Sequence, residues 1–394
     1  MLKKYLKKIF TIFIVISCFF IPYFFVSCAT QTTIQMSTLT PWAKDFKIKN
    51  INFFKSIESK YNELKNQDID TKNAKNITLT PDLLSNDRAL VESVITNKSQ
   101  IAIVNSVFLN NQFNETQKYI DFVHPILLAK TFVPKYDENM VFYDVNNNEK
   151  IDEIVKKQNN DFTKKSYSKW DDKEYGFNYG IYQHFYEPID KSINYQRGAI
   201  FIAGTEEILK KIKEAWNNRD WKTFSSFGIV KNQDTSSATR FIYPEFLFKK
   251  HFNKYNKQFT GFSNDENENP DNYINYPIHN SATHMGQSIF KDFHIFLGEE
   301  NEYAFHHNDP DKNYFTRPNG EKIEILTLTD PFLFFVVIAS NKLSEKEITF
   351  LQQAILQTSQ ENKDDFSYRI GISGYTQENA NREYIKEFYN KAKQ

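Results

Sequence analysis

The run Asp234-Thr235-Ser236-Ser237-Ala238-Thr239 holds the residue types with the most specific chemical potential in this chain. Small hydroxyl side chains stand between an apolar strand, Phe227-Gly228-Ile229-Val230, and an aromatic helix, Phe241–Phe252. Such a junction presents backbone N–H and side-chain O–H donors to an anion, and so suits a phosphorylated ligand. Ser, Thr and Asp are also ordinary turn residues, so an unoccupied capped loop is the alternative on pattern alone. Pro244 fits a helix only in its first turn, which places the helix start near Arg240, just past the hydroxyls. Upstream, Tyr195–Ala203 reads as a strand closed by Gly204, and Thr205-Glu206-Glu207 as a capped helix start with two acids in its first turn.

Other residues are candidates on weaker patterns. Trp42 follows a short first strand at Ser37–Leu39, and Tyr182 and Tyr186 flank Gln183; their rings suit stacking on a heteroaromatic ligand. Asn105 and Ser106 close the short strand Ile101–Val104 at the carboxyl end, where open α/β sheets bind ligands. Arg197 either balances phosphate charge or forms a structural ion pair. His294 sits among apolar strand neighbours, where a satisfied buried histidine competes with a ligand contact. Asp144, Asn146 and Asn148 alternate as calcium ligands do, without the glycine and terminal glutamate of an EF-hand loop. His306 and His307 point apart in extended chain, and with Asp309 find no further ligand at suitable spacing. No metal site is expected. No phosphate-binding P-loop and no Gly-x-Ser-x-Gly elbow occurs; Gly371-Ile372-Ser373-Gly374 lacks the second spacer. A binding protein, and no enzyme, is expected.

The chain that must position these residues has 394 of them, 40% hydrophobic and 16% aromatic, enough for two ordinary domains with a large core. Lys+Arg and Asp+Glu balance at 49 each, which argues against a nucleic-acid partner. Lys3, Lys4, Lys7 and Lys8 precede the apolar run Ile9–Val26, the pattern of a secretion signal. It closes on Phe25-Val26-Ser27-Cys28, which resembles a bacterial lipobox, and this implies cleavage before Cys28 and a lipid on its thiol. The alternative is an uncleaved anchor, since the run nearly spans a bilayer. Cys18 is the only other cysteine, so no disulfide is expected. Strand and helix patterns alternate up to Val133, giving an α/β domain with a largely parallel sheet. Asp137–Tyr179 and Phe262–Asn275 read as polar surface insertions.

This order of elements resembles a type II solute-binding protein: two lobes, each a mixed sheet flanked by helices, with two crossings between them. Tyr182-Gln183-x-x-Tyr186-x-Pro188, Arg197-Gly198, Ala215-Trp216-Asn217-x-x-Asp220-Trp221-x-x-Phe224, Phe227-Gly228-Ile229, His251-Phe252, Asp292-Phe293-His294-Ile295 and Gly374-Tyr375 narrow it further. They resemble the mycoplasma-type high-affinity transport system lipoprotein, the extracytoplasmic thiamine pyrophosphate-binding lipoprotein of wall-less bacteria. More distantly, Ser237-Ala238-Thr239 with Pro244 is similar to the hydroxyl turn of phosphonate-binding proteins. The resemblance implies a monomer anchored by lipid at the outer face of the cell membrane. It implies a diphosphate on Thr235–Thr239, rings against Trp42, Tyr182 and Tyr186, and delivery to a permease driven by a cytoplasmic ATPase. A phosphonate binder, a surface phosphatase and an adhesin are the alternatives. The expected division is 1–27 signal, 28–36 tether, 37–203 with 310–394 first lobe, and 204–309 second lobe. The crossings are expected near Ile202–Gly204 and Phe305–Arg317.

Overall fold

A computed structural model describes residues 32–41, 51–115, 117–137, 139–277, 282–305, 314–318, 320–361 and 363–394. The chain starts with β1 (Thr32–Leu39), α1 (Phe53–Gln67), β2 (Ile77–Leu84), α2 (Asp87–Ile95), β3 (Ile101–Asn105), α3 (Ser106–Glu115), α4 (Gln117–Phe122) and β4 (Val123–Thr131). Next come α5 (Glu149–Thr163), the short hairpin β5 (Phe177–Asn178) and β6 (Ile181–Tyr182), and β7 (Tyr195–Gln196). A second run holds β8 (Gly198–Gly204), α6 (Glu206–Asn217), α7 (Trp221–Ser225), β9 (Ile229–Asn232), α8 (Tyr243–Phe252), α9 (Phe262–Glu268), β10 (Tyr273–Tyr276), β11 (Ile295–Glu299) and β12 (Lys322–Leu328). The chain then returns through β13 (Phe332–Leu333), β14 (Phe335–Ser340), α10 (Glu345–Gln360), β15 (Ile372–Thr376) and α11 (Arg382–Lys393).

Two mixed sheets result, in the strand orders β15-β4-β14-β3-β1-β2 and β10-β9-β11-β8-β12. In each, an antiparallel strand that follows a crossing lies among parallel ones: β14 against β3 and β4, and β8 against β11 and β12; the first sheet adds β15, antiparallel to β4, at its edge. β8 is buried along its whole length, which is why Ala199–Ala203 reads as an unbroken apolar run. Its successor α6 starts as its sequence predicts, with the Thr205 hydroxyl accepting from the Ile208 N–H and Glu206 and Glu207 in the first turn.

The two crossing strands pair with each other. Phe332 lies opposite Gln196 and Leu333 opposite Tyr195, antiparallel, between the sheets. The crossings therefore run through Tyr195–Arg197 and Thr329–Phe334, and not through Ile202–Gly204 and Phe305–Arg317. Consequently β8 and β12 both belong to the second sheet, outside the 204–309 span expected for that lobe. The apolar run 199–203 looked like a link because a strand buried on both faces has no polar side to mark which sheet it joins. The tether is also shorter than expected. Thr32–Gln35 already pair with Ile77–Thr80, and Ile34 and Met36 are buried at alternate positions.

Neither polar insertion is a solvated loop. α5 lays Ile151, Ile154, Val155 and Phe162 into the second lobe's core, and Tyr167, Trp170 and Tyr175 are buried behind it. Asn159 clamps the outer strand of that sheet: its Nδ2 donates to the Ile325 carbonyl at 2.9 Å and its Oδ1 accepts the Ile325 N–H at 2.8 Å. The clamp falls where the β12–β8 register slips, between Ile325 and Thr327. Likewise, Phe262 and Asp265 of the second insertion are buried, with Trp221 Nε1 donating to Asp265 at 2.9 Å. Asn159→Ala leaves both Ile325 groups unpaired, and we expect it to cost about 1–3 kcal/mol of unfolding free energy in a urea titration.

Candidate functional site

The hydroxyl run sits at the carboxyl end of β9, next to the paired crossing strands. Asn232 Oδ1 accepts the Asp234 N–H at 2.7 Å, and Asp234 Oδ1 accepts both the N–H and hydroxyl of Ser236, at 2.9 and 2.6 Å. Ser237 then caps a short π-helical stretch, Ala238–Ile242, which passes into α8 at Tyr243. Its wider bonds, Ile242 N–H to the Ser237 carbonyl at 3.0 Å and Tyr243 N–H to that of Ala238, hand over to the α-helix where Pro244 has no N–H to give. The helix thus opens at Ala238, two residues before the expected start. A helix start leaves its first N–H groups without intrahelical partners, and here it lies beside exposed Asp234 and Thr235.

Gly198 explains how this turn reaches the hinge. A Cβ on it would stand 2.9 Å from the Thr239 carbonyl oxygen and 3.0 Å from Thr329 Cγ2, so only glycine lets the start of β8 pass under the turn. Thr239 faces Glu299, and Arg240 donates to Glu299 at 2.7 Å and to Glu302 at 2.9 Å. The Arg240 guanidinium is thus committed to two carboxylates at the carboxyl end of β11.

Across the hinge, Asn105 and Ser106 end β3 of the first lobe. Asn105 Oδ1 caps α3 by accepting the Val107 and Phe108 N–H groups, and the buried Ser106 hydroxyl donates to the Leu333 carbonyl on the crossing strand. Asn105 N–H donates to Asp87 at 2.8 Å, at the start of α2. Burial first, and the negative charge of Asp234 from the other lobe second, push the Asp87 carboxyl up to about 6, against the pull of the Asn105 hydrogen bond. The Asp234 charge is thus felt at Asp87, which makes Asp87 with Asn105 and the turn Asp234–Thr239 the candidate rims of the cleft. Asp87 and Glu299 were not among the sequence candidates. Their signals were present: a Ser85-Asn86-Asp87 cap after a strand, and Glu299-Glu300 directly after an apolar one.

The remaining candidates lie elsewhere. Arg197 is fully buried behind the cleft. It donates to Asp137 through Nε at 2.8 Å and Nη2 at 3.3 Å, and to the Thr329 carbonyl at 3.2 Å. The structural ion pair accounts for it, and not phosphate contact. Tyr182 is buried with its ring edge-on to Trp170 and its hydroxyl on Asp172 at 3.0 Å, and Gln183 donates its N–H to the Gly176 carbonyl. Tyr186 packs on Phe132 and Phe305. These three belong to an aromatic core beside the hinge. His294 precedes β11 at the end away from the hinge, its Nδ1 2.7 Å from the Ala203 carbonyl, whereas Glu299 at the other end pairs with Gly198. A five-residue strand separates it from that end, and the ring is half-buried and hydrogen-bonded, a satisfied histidine but not a fully buried one. Trp42, Cys28, His306, His307 and Asp309 lie outside the described residues. Among the described residues, no group of three or more His, Cys, Asp or Glu could hold a metal ion, and no helix is long and apolar enough to cross a membrane. A groove of about 1120 Å³ between α5 and α6, lined by Asn159, Lys213 and Arg219, takes in Asn146 and Asn148 of the calcium-like run but none of the ligand-binding candidates.

Two sheets of this order, joined by paired crossings with a donor-rich turn at the mouth, define a two-lobed solute-binding protein of the type II topology. The chain belongs to the family of extracytoplasmic thiamine-binding lipoproteins, whose family model matches residues 51–394. It is 28% identical over 349 residues to the high affinity transport system protein p37 of Mesomycoplasma hyorhinis, covering 86% of this chain and 82% of that protein. The p37 of Mycoplasma pneumoniae is 29% identical over 334 residues, covering 80% and 82%. The solved structure of the Mycoplasma hyorhinis protein Mh-p37, described as a candidate thiamine pyrophosphate transporter, superposes with a TM-score of 0.83 at 26% identity, over 92% of this chain and 99% of that one.

Two outcomes test the hinge chemistry. Arg197→Ala leaves Asp137 buried without its partner, and denaturant unfolding is expected to show a loss of roughly 3–5 kcal/mol. Beside the pair, Glu300 accepts from Gln158 at 2.6 Å; burial first and the Asp137 charge second push its carboxyl up to about 8. The folded state therefore holds this proton more tightly than the unfolded chain. Its stabilisation is complete below the ordinary carboxylate range and is lost as pH rises through about 8. Thermal melts from pH 5 to 9 should fall across that window in the native chain and flatten in Glu300→Gln.

Proposed function

We propose that this protein captures thiamine pyrophosphate between its lobes and delivers it to a membrane permease driven by a cytoplasmic ATPase. The observation that carries the reading is the hydroxyl turn Asp234–Thr239 at the start of a helix, held against the hinge by the close approach of Gly198. Family membership and the description given to Mh-p37 support the ligand. Arg197 and Arg240 are engaged with carboxylates, so the diphosphate falls to the turn Thr235–Thr239, whose Ser236 and Thr239 hydroxyls would exchange Asp234 and Glu299 for the ligand, as charge-assisted bonds of about 1.5–3 kcal/mol each. The cationic thiazolium suits the acidic rim of Asp87, Asp234 and Glu299. Ligand contact with both lobes favours the closed arrangement, the form a permease reads. A lipid on Cys28 holds the monomer at the outer face of the membrane; a Cys28→Ser variant should lose metabolic labelling by palmitate.

Calorimetry against thiamine, its monophosphate, its diphosphate and methylphosphonate tests the ligand. The diphosphate is expected to bind at least about tenfold tighter than thiamine, the effect of one net charge-assisted bond. Ser237→Ala should remove part of that difference while leaving thiamine affinity unchanged. Equal affinity for thiamine and its diphosphate would overturn the role of Thr235–Thr239, and tighter methylphosphonate binding would favour a phosphonate carrier. Released phosphate would indicate a phosphatase, and binding of host protein alone an adhesin.

A further inference from the structure

The C-terminal helix α11 belongs to neither lobe alone. Ile385 and Phe388 are buried in the first lobe's core with Phe108, Leu109 and Leu333, while Ala392 is buried in the second lobe's core and Tyr389 packs against it. Along its length the helix touches α3 of the first lobe, the crossing strand β13, and α8 of the second lobe. The last contact is narrow and made of rings: Tyr389 stands edge-on to Phe246 at 5.5 Å and to Tyr243 at 6.3 Å. Tyr243 in turn packs on Phe332 of β13 at 4.8 Å. Both rings lie in the first turn of α8, directly after the π-helical stretch that carries the hydroxyl turn. The Tyr243 hydroxyl is fully buried with no hydrogen-bond partner, a cost that these ring contacts offset only while the helix stays seated.

We propose that α11 is a strap across the hinge that positions the donor-bearing helix α8 against the first lobe, with Tyr389 as the positioning residue. A rotation about the β7–β13 pair carries α8 with the second lobe, while α11 remains on α3 and β13 through Ile385 and Phe388. The Tyr389 contacts are then the ones that break, and the freed Tyr243 hydroxyl gains water. The strap thus sets the balance between the two lobe arrangements in the absence of any ligand.

The test uses the full chain in detergent micelles with Cys18→Ser and Cys28→Ser, so that Ile69→Cys and Lys222→Cys, exposed on the first and second lobes, are its only thiols. Spin labels there report the interlobe distance without ligand. Tyr389→Ala is expected to enlarge the population of longer distances roughly three- to tenfold, the scale of losing one aromatic contact. Phe246→Ala should do the same, the double variant little more, and Tyr389→Phe should stay with the native chain. Thiamine pyrophosphate should leave Tyr389→Ala faster by a similar factor. A native distance distribution in both alanine variants, with or without a lowered melting temperature, overturns the strap. A shift in Tyr389→Phe as large as in Tyr389→Ala also overturns it. The ligand arm alone rests on the function proposed above: a shifted distribution with no thiamine pyrophosphate binding by the native chain supports the strap and sinks that ligand.

Discussion

The arrangement of this protein hangs on a guanidinium placed where two crossing strands meet. Arg197 follows β7 directly, and its three donor groups tie together Asp137, before the α5 insertion, and Thr329, at the end of β12. Three segments far apart in sequence are thereby fixed at one point. Such a pair is not a strong source of net stability, because desolvating both ions costs nearly what their attraction returns. Its physical effect is on register: once the charges are buried, an alternative seating of the crossing strands leaves one of them unpaired. Glu300, buried beside the pair and accepting from Gln158 on α5, adds a second carboxyl to a single cation. Burying that proton with the pair is what makes the hinge sensitive to alkali.

The cleft is built outward from that hinge by close approach and not by charge. Gly198 lets the second lobe's first strand slide beneath Thr239, and Ser106 ties the first lobe's rim to Leu333. Both rims are therefore anchored to the same pair of short strands, within a few residues of the pivot. Arg197 and Arg240 are both held by carboxylates, so under the proposed function oriented N–H and O–H dipoles would receive the anion. Dipoles of this kind are fixed by the backbone and need no reorganisation when a ligand arrives.

Much of this was legible in the sequence, and the failures have a common cause. The lobes, their alternating elements, the capped helix after Thr205 and the hydroxyl turn before α8 each leave a local signature. Crossings do not. Ala199–Ala203 is apolar on both faces, so periodicity could not say which sheet it enters; the first crossing was misplaced by a few residues and the second by the whole length of β12. Tyr182 and Tyr186 were offered as ligand-stacking rings because an aromatic side chain looks the same in a core and in a site. Trp170, Tyr175 and Phe177, which pack on Tyr182, were spread over an insertion whose polar helix face hid its buried one. Asp87 was overlooked for the opposite reason: as a helix-start acid it looked ordinary, and only the fold set it at the end of β3, accepting the Asn105 N–H.

The Asn159 clamp has an effect beyond its own two hydrogen bonds. β12 is an outer strand, and an outer strand offers a row of unpaired peptide groups on which another chain can grow. One side-chain amide, carrying a donor and an acceptor at peptide-like spacing, occupies the Ile325 pair in the manner of one further residue of sheet, and α5 covers what lies beside it. The sheet is thus terminated by a side chain imitating backbone. That termination suppresses edge-to-edge aggregation without adding a strand.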